Sequence, residues 1–178
     1  KPILFPDITY SFYDVWADVY KVSYKTMPLD DDFRIVKEDY MQENGGIIFP
    51  NPNAPTGVLE SVEMIEEIIK ANPDSVIIID EAYIDFGGKS CLSLIDKYEN
   101  LLVVQTFSKS RSMAGLRIGG VVSSKPIIDA IKNAVVNDLG VNIISQYGAI
   151  AGLKSKPEWF EQMREICFEN QRLIHEMI

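Results

Sequence analysis

Short apolar runs alternate with helix-period segments along the whole chain. PILF at 2–5, KVSY at 21–24, IIF at 47–49, VIIID at 76–80 and LLVVQ at 101–105 have the length and side chains of strands. Phe12, Val15, Trp16 and Val19 recur at helical spacing and mark one predicted helix face. SVEMIEEIIKA at 61–71 is amphipathic through Met64, Ile65, Ile68 and Ile69. PLDDDFRIVKEDYMQENGG is polar, with a short helical signal and a glycine stop, and another short helix is expected around 90–97. LRIGGVVSS at 116–124 reads as a further strand, and PIIDAIKNAVV as a helix begun by Pro126. Trp159, Phe160, Met163, Ile166, Cys167, Leu173, Ile174 and Met177 give a last helix, with Ser155-Lys-Pro-Glu158 as its capping-box start.

Strands alternating with helices predict an α/β fold: three α/β/α layers around a mostly parallel sheet. LLVVQ is apolar on both faces, as a covered strand should be. The link from LLVVQ to LRIGG is about ten residues without a helical pattern. A parallel crossover wants a dozen or more, so this last strand is expected to run antiparallel. There are no internal repeats, low-complexity stretches or internal linkers.

Composition narrows the chemistry. A chain of 178 residues, 47% hydrophobic, suits one packed domain or a large piece of one. A net charge of −9 argues against nucleic acid or an anionic membrane as partner. No apolar run approaches the roughly 20 residues that span a bilayer, and KPILFPDITY is no signal peptide. Cys91 and Cys167 form no metal or redox motif and read as reduced packing residues of a cytoplasmic protein. His175 is the single histidine and falls on a helix surface, so a histidine triad or multi-histidine metal site is excluded. Chemistry must come from lysine, carboxylates, hydroxyls or a cofactor.

In open α/β sheets, ligands sit beyond the carboxyl ends of the strands. Three polar clusters fall there: PNPNAPTG at 50–57, DEAYIDF at 80–86 and TFSKSRSMAGLR at 106–117. Taken singly, each has an ordinary explanation: a proline-rich turn, a helix-capping aspartate, a solvated loop lysine. Their occurrence at consecutive strand ends is what those explanations leave out.

Pyridoxal-phosphate catalysis would use the whole set. Lys109 would form a Schiff base, its amine kept partly neutral by burial and by Arg111 and Arg117 nearby. Asp80 would keep the pyridine nitrogen protonated, and Tyr83 would donate to the ring 3′-oxygen. Thr106, Ser108 and Arg117 suit a phosphate dianion, with Gly115 allowing close backbone approach.

Asp80-Glu-Ala-Tyr83, Ser108-Lys109 with Arg117 in AGLRIG, and the PNPNAPTG turn closely resemble the fold-type I aminotransferases. VIIIDEAYIDF followed by TFSKSRSMAGLRIGG is most similar to the histidinol-phosphate branch of that family. The resemblance covers essentially the whole chain. It implies the large, cofactor-binding domain of such an enzyme, with Lys109 as Schiff-base lysine and as the base moving a proton between Cα and C4′. It also implies Asp80 on the pyridinium nitrogen, Tyr83 on the 3′-oxygen, and Thr106, Ser108 and Arg117 on the phosphate. FPDITYSFY matches the family's PTY segment, so Tyr10 would stack on the cofactor ring, although it could equally be a core aromatic. Glutamate as amino donor, a keto-acid or keto-phosphate acceptor and a homodimer are further implications.

Two departures stand out. Where the family places asparagine before PTG, this chain has Ala54, with Asn53 one place earlier. Either Asn53 substitutes or Tyr83 carries that contact alone. Family members are also considerably longer, so residues 1–178 are expected to be a large domain truncated at both ends. The helix from 157 would lead toward a small domain, and the 178 residues alone would be inactive. Exposed apolar surface is expected where other segments would cover it. Three other readings remain open: a sister aminotransferase (aromatic or aspartate) or phospho-amino-acid decarboxylase, a folded scaffold that binds cofactor weakly or not at all, and a cofactor-free Schiff-base aldolase built on Lys109.

Overall fold

The computed structural model describes residues 1–134, 140–154 and 157–177. The expected capping box at Ser155 and the end of the PIIDAIKNAVV helix at 135–136 lie outside them.

Six strands form one sheet in the order β2-β1-β3-β4-β5-β6: β1 Ile3–Pro6, β2 Tyr24–Met27, β3 Gly46–Pro50, β4 Ile77–Asp80, β5 Leu101–Thr106 and β6 Gly119–Ser123. The first five run parallel. β6 returns antiparallel to β5, with Val104 opposite Val121 and Thr106 opposite Gly119, as the short link requires. The second strand starts at Tyr24, three residues beyond the start of KVSY. Strand order reverses between β1 and β3, so the sheet has a switch point there, where ligands of such folds bind.

Successive strand residues face opposite ways. Leu4, Ile47, Phe49, Ile77, Ile79, Leu101 and Val103 share one face and pack against Ile65, Ile68 and Ile69 of α2, Val62–Ala71. Ser61 starts that helix by accepting the Met64 N–H at 3.1 Å. Short 3₁₀ turns, Lys37–Tyr40 and Cys91–Leu94, add Tyr40, Cys91 and Leu94 to the same core. Only the second of these stands in the 90–97 segment, and it is one turn rather than an α-helix.

On the opposite face lies α1, Tyr13–Val19. Its orientation corrects the sequence pattern. Tyr13 and Ala17 are the buried residues, whereas Phe12, Val15, Trp16 and Val19 are exposed. The Tyr13 ring meets Phe5 of β1 edge-on at 5.9 Å and anchors the helix from that side.

Three helices follow β6: α3 Lys125–Ala134, α4 Ile143–Lys154 and α5 Pro157–Met177. The sequence reading had no counterpart of α4, which carries little amphipathic signal and has Ser145 and Gly152 as its buried residues. The Ser145 hydroxyl donates to the Leu116 carbonyl at 2.7 Å, docking α4 on the loop before β6. Exposed apolar side chains gather on α1, with Tyr20, and on α4, with Ile143, Ile144 and Tyr147. Among the described residues no helix is long and apolar enough to cross a membrane.

Candidate active site

Beyond the carboxyl ends of β3, β4 and β5 lies a cavity of about 340 Å³. Tyr10, Asp80, Tyr83, Thr106, Ser108, Lys109 and Arg117 all line it, together with Trp16, Pro50, Ala54, Ala82 and Val104. Seven of the eight side chains singled out from sequence therefore share one space. Asn53 is the exception.

Asp80 is the last residue of β4 and points to the face that carries α1. Its carboxylate accepts the Tyr13 hydroxyl at 3.0 Å and the Ala82 N–H at 3.1 Å. Burial raises its pKa above the ordinary aspartate value, and the two hydrogen bonds and the charge of Lys109 oppose the rise. The same burial, reinforced by Asp80, pushes the Tyr13 phenol far up, so Tyr13 is a fixed donor. Tyr13 was not among the candidates read from sequence. Its role depends on a pairing across 67 positions, which no local pattern encodes.

Glu81, one residue on, faces the other way and is 2% exposed. It accepts the Ser90 hydroxyl and the Cys91 N–H, each at 2.6 Å, and the Gln105 amide at 2.8 Å. This binds the end of β4 to β5 and to the following turn, which fixes the direction of Asp80. Burial and Glu81 together push the Cys91 thiol up to about 12, as suits a packing residue. Cys167, expected to be similar, is exposed on α5.

Lys109 stands on the loop after β5, its Nζ 5.1 Å from the centroid of the Tyr83 ring. The side chain is exposed, so the burial expected from sequence is absent. Arg111 does not face the amine as a free charge. Its guanidinium stacks on Phe107 at 5.6 Å and on Phe160 of α5 at 5.0 Å. Arg164 continues the stack, 5.7 Å from both Phe160 and Phe168, which gives an alternating ladder from the lysine loop onto α5.

The remaining groups are hydroxyls and one guanidinium. Thr106 accepts the Ser108 N–H at 3.1 Å and donates to the Ile118 carbonyl at 3.3 Å, closing the loop at its base. Arg117 adopts φ of 52° and donates to the Ala114 carbonyl at 3.1 Å while remaining exposed. Gly115 has open space where a Cβ would stand, so no protein contact demands glycine there. The Tyr10 ring lies 5.7 Å from Tyr13 and 5.9 Å from Trp16, both edge-on, at the mouth of the cavity.

Asn53 is engaged elsewhere. Its amide donates to the Ile8 carbonyl at 2.9 Å and to the Thr56 hydroxyl at 3.0 Å, and its oxygen accepts from Thr9 at 3.0 Å. These bonds hold the 50–57 turn against the loop after β1 and leave Ala54 facing the cavity. The geometry does not bring Asn53 to the position its sequence suggested. Asn53, Ala54 and Tyr83 border a second cavity of about 400 Å³, closed by Cys167, Phe168 and Gln171 of α5.

Comparison with known proteins places the chain in a family. The model of aminotransferase class I and II matches residues 1–178. Histidinol-phosphate aminotransferase 1 of Hydrogenovibrio crunogenus is 49% identical over 178 residues, covering 98% of this chain and 50% of that protein. The chain thus spans about half the length of the curated relatives it matches. Among solved structures, the histidinol-phosphate aminotransferase of Clostridium acetobutylicum superposes with a TM-score of 0.89 at 30% identity, covering 99% of this chain and 55% of that one. A second, from Sinorhizobium meliloti in complex with pyridoxal-5'-phosphate, has a TM-score of 0.84 over 97% of this chain and 49% of its own. At 22% identity it speaks for the fold alone. The chain belongs to the class I and II aminotransferase family.

Proposed function

We propose that residues 1–178 are the cofactor-carrying portion of a pyridoxal-phosphate-dependent aminotransferase that moves an amino group between glutamate and imidazole-acetol phosphate. The observation that carries the reading is the convergence of Asp80, Tyr83, Lys109, Thr106, Ser108 and Arg117 on one cavity at the strand ends. The substrate assignment rests on relatives near 49% identity that bear the histidinol-phosphate name.

The donor set fits a planar aldehyde phosphate. An amine, a half-buried carboxylate and a phenol line one cavity with two hydroxyls and a guanidinium. When bound, pyridoxal phosphate supplies an electron sink for the substrate's α-carbon. Asp80, held by Tyr13, would keep a proton on the ring nitrogen. Tyr83 would donate to the ring 3′-oxygen alone, because Asn53 is committed to the turn. Ser108, Thr106 and Arg117 would bind the phosphate, and Tyr10 would cover the ring at the mouth. Lys109 Nζ would carry the covalent link and then take and return the α-proton. Helix α5 would lead toward a second domain, and a homodimer and a cytoplasmic location complete the reading.

A panel of phosphorylated and unphosphorylated keto acceptors on the full-length parent enzyme tests it, with glutamate as donor and 2-oxoglutarate as the measured product. Product with imidazole-acetol phosphate above all others supports the assignment. A preference for oxaloacetate or an aromatic keto acid, or carbon dioxide release from a phospho-amino acid, overturns it.

A further inference from the structure

Lys109 and Tyr83 come from different loops, and Lys109 is exposed, so side-chain packing does not fix the distance between them. One bond does join the two loops near both residues. The Ser110 hydroxyl, directly after Lys109, donates to Asp85 Oδ2 at 2.5 Å. Asp85 stands two residues after Tyr83, inside the 3₁₀ turn Ile84–Phe86. Ser110 is 6% exposed, whereas its neighbour Lys109 is exposed and lines the cavity. Neither Asp85 nor Ser110 lines the cavity.

We propose that Asp85 and Ser110 are a positioning pair that sets the Lys109 amine against the Tyr83 ring, and thereby the affinity for the aldehyde phosphate. The inference rests on the functional reading above. A hydroxyl-to-carboxylate bond is short, directional and stronger than a neutral one, so it defines loop separation well. The rest of the lysine loop closes on itself, with the Ser112 N–H donating to the Lys109 carbonyl at 2.9 Å and the Met113 N–H to the Phe107 carbonyl at 3.0 Å. That loop is therefore a semi-rigid unit, and the Asp85 bond is where it is pinned to the Tyr83 side. On the α5 side the Arg111 ladder holds it.

The test compares D85A, S110A and the double variant with the unmodified protein. Pyridoxal phosphate affinity is read by spectrophotometric titration, and the cofactor-free proteins are melted in parallel. Each single variant is expected to weaken binding about tenfold, with the double variant no weaker than either single. S110T, which keeps the hydroxyl, should recover most of the loss. Melting temperatures of the cofactor-free variants should stay within about 3 °C of the parent, separating positioning from folding. Additive losses in the double variant, unchanged affinity, or losses that follow the melting temperature would each overturn the pair. An unmodified protein that takes no adduct at Lys109 would sink the functional reading, and this proposal with it. An unmodified protein that binds normally beside variants that also bind normally would sink the proposal alone.

Discussion

Tyr13 of α1 donates its phenolic hydrogen to Asp80 at the end of β4, 3.0 Å away. A helix on one face of the sheet thus supports the half-buried carboxylate at the centre of the candidate site. The Tyr13 bond lowers the Asp80 pKa while burial raises it, and burial has the larger effect.

Tyr13→Phe removes that donor and nothing else of similar size. Loss of a partly buried hydrogen bond to a carboxylate should cost about 1–2 kcal/mol at neutral pH. The deficit should shrink on acidification, because a protonated Asp80 depends less on the donor. Urea denaturation of the two cofactor-free proteins at neutral and acid pH measures both. An equal deficit at every pH would mean that Tyr13 acts by packing alone.

Asp80 itself should carry a stability penalty. A folded pKa above the unfolded one means that the native chain binds the proton more tightly. Stability then falls as pH rises from the ordinary aspartate value through the raised one, and stays low above it. Asp80→Asn removes this slope and should melt roughly 2–4 °C higher at neutral pH, on the order of 1 kcal/mol. The same variant should bind pyridoxal phosphate far more weakly. Lower melting at neutral pH would show that the carboxylate stabilises the fold.

Arg111 should govern how firmly α5 is seated. It stacks on one ring of the lysine loop and one ring of α5. Two partly exposed cation–π contacts are worth about 1–2 kcal/mol together. Arg111→Ala should therefore speed amide exchange across 157–177 about five- to thirtyfold and leave the strands unchanged. Arg111→Lys, which keeps the charge but loses the plane, should fall between. Uniform exchange across the chain would contradict the ladder.

Five of the six strands, the amphipathic helix α2, the antiparallel last strand and the clustering of polar residues at strand ends were legible in sequence, whereas KVSY at 21–24 meets the second strand, Tyr24–Met27, only at Tyr24. Each legible feature depends on local period or on residues close in the chain. Besides α4 and the Tyr13 partner of Asp80, three further features were not legible. The face of α1 was misread because its aromatic and apolar residues outnumber the positions the sheet can cover, and the contact of Tyr13 with Phe5 decides which are buried. Asn53 looked available for ligand because its bonds to Ile8 and Thr9 link segments more than 40 positions apart. Lys109 looked buried because it follows a covered strand, yet it is exposed at the cavity while its neighbour Ser110 is buried.

The proposed chemistry turns on Lys109 as the residue that binds pyridoxal phosphate covalently. The most direct measurement is borohydride reduction of the purified protein after incubation with pyridoxal phosphate, followed by peptide mapping. A phosphopyridoxyl group is expected on Lys109 alone, lost in Lys109→Ala and strongly reduced in Asp80→Asn. Label scattered over surface lysines, unchanged by either substitution, would contradict it.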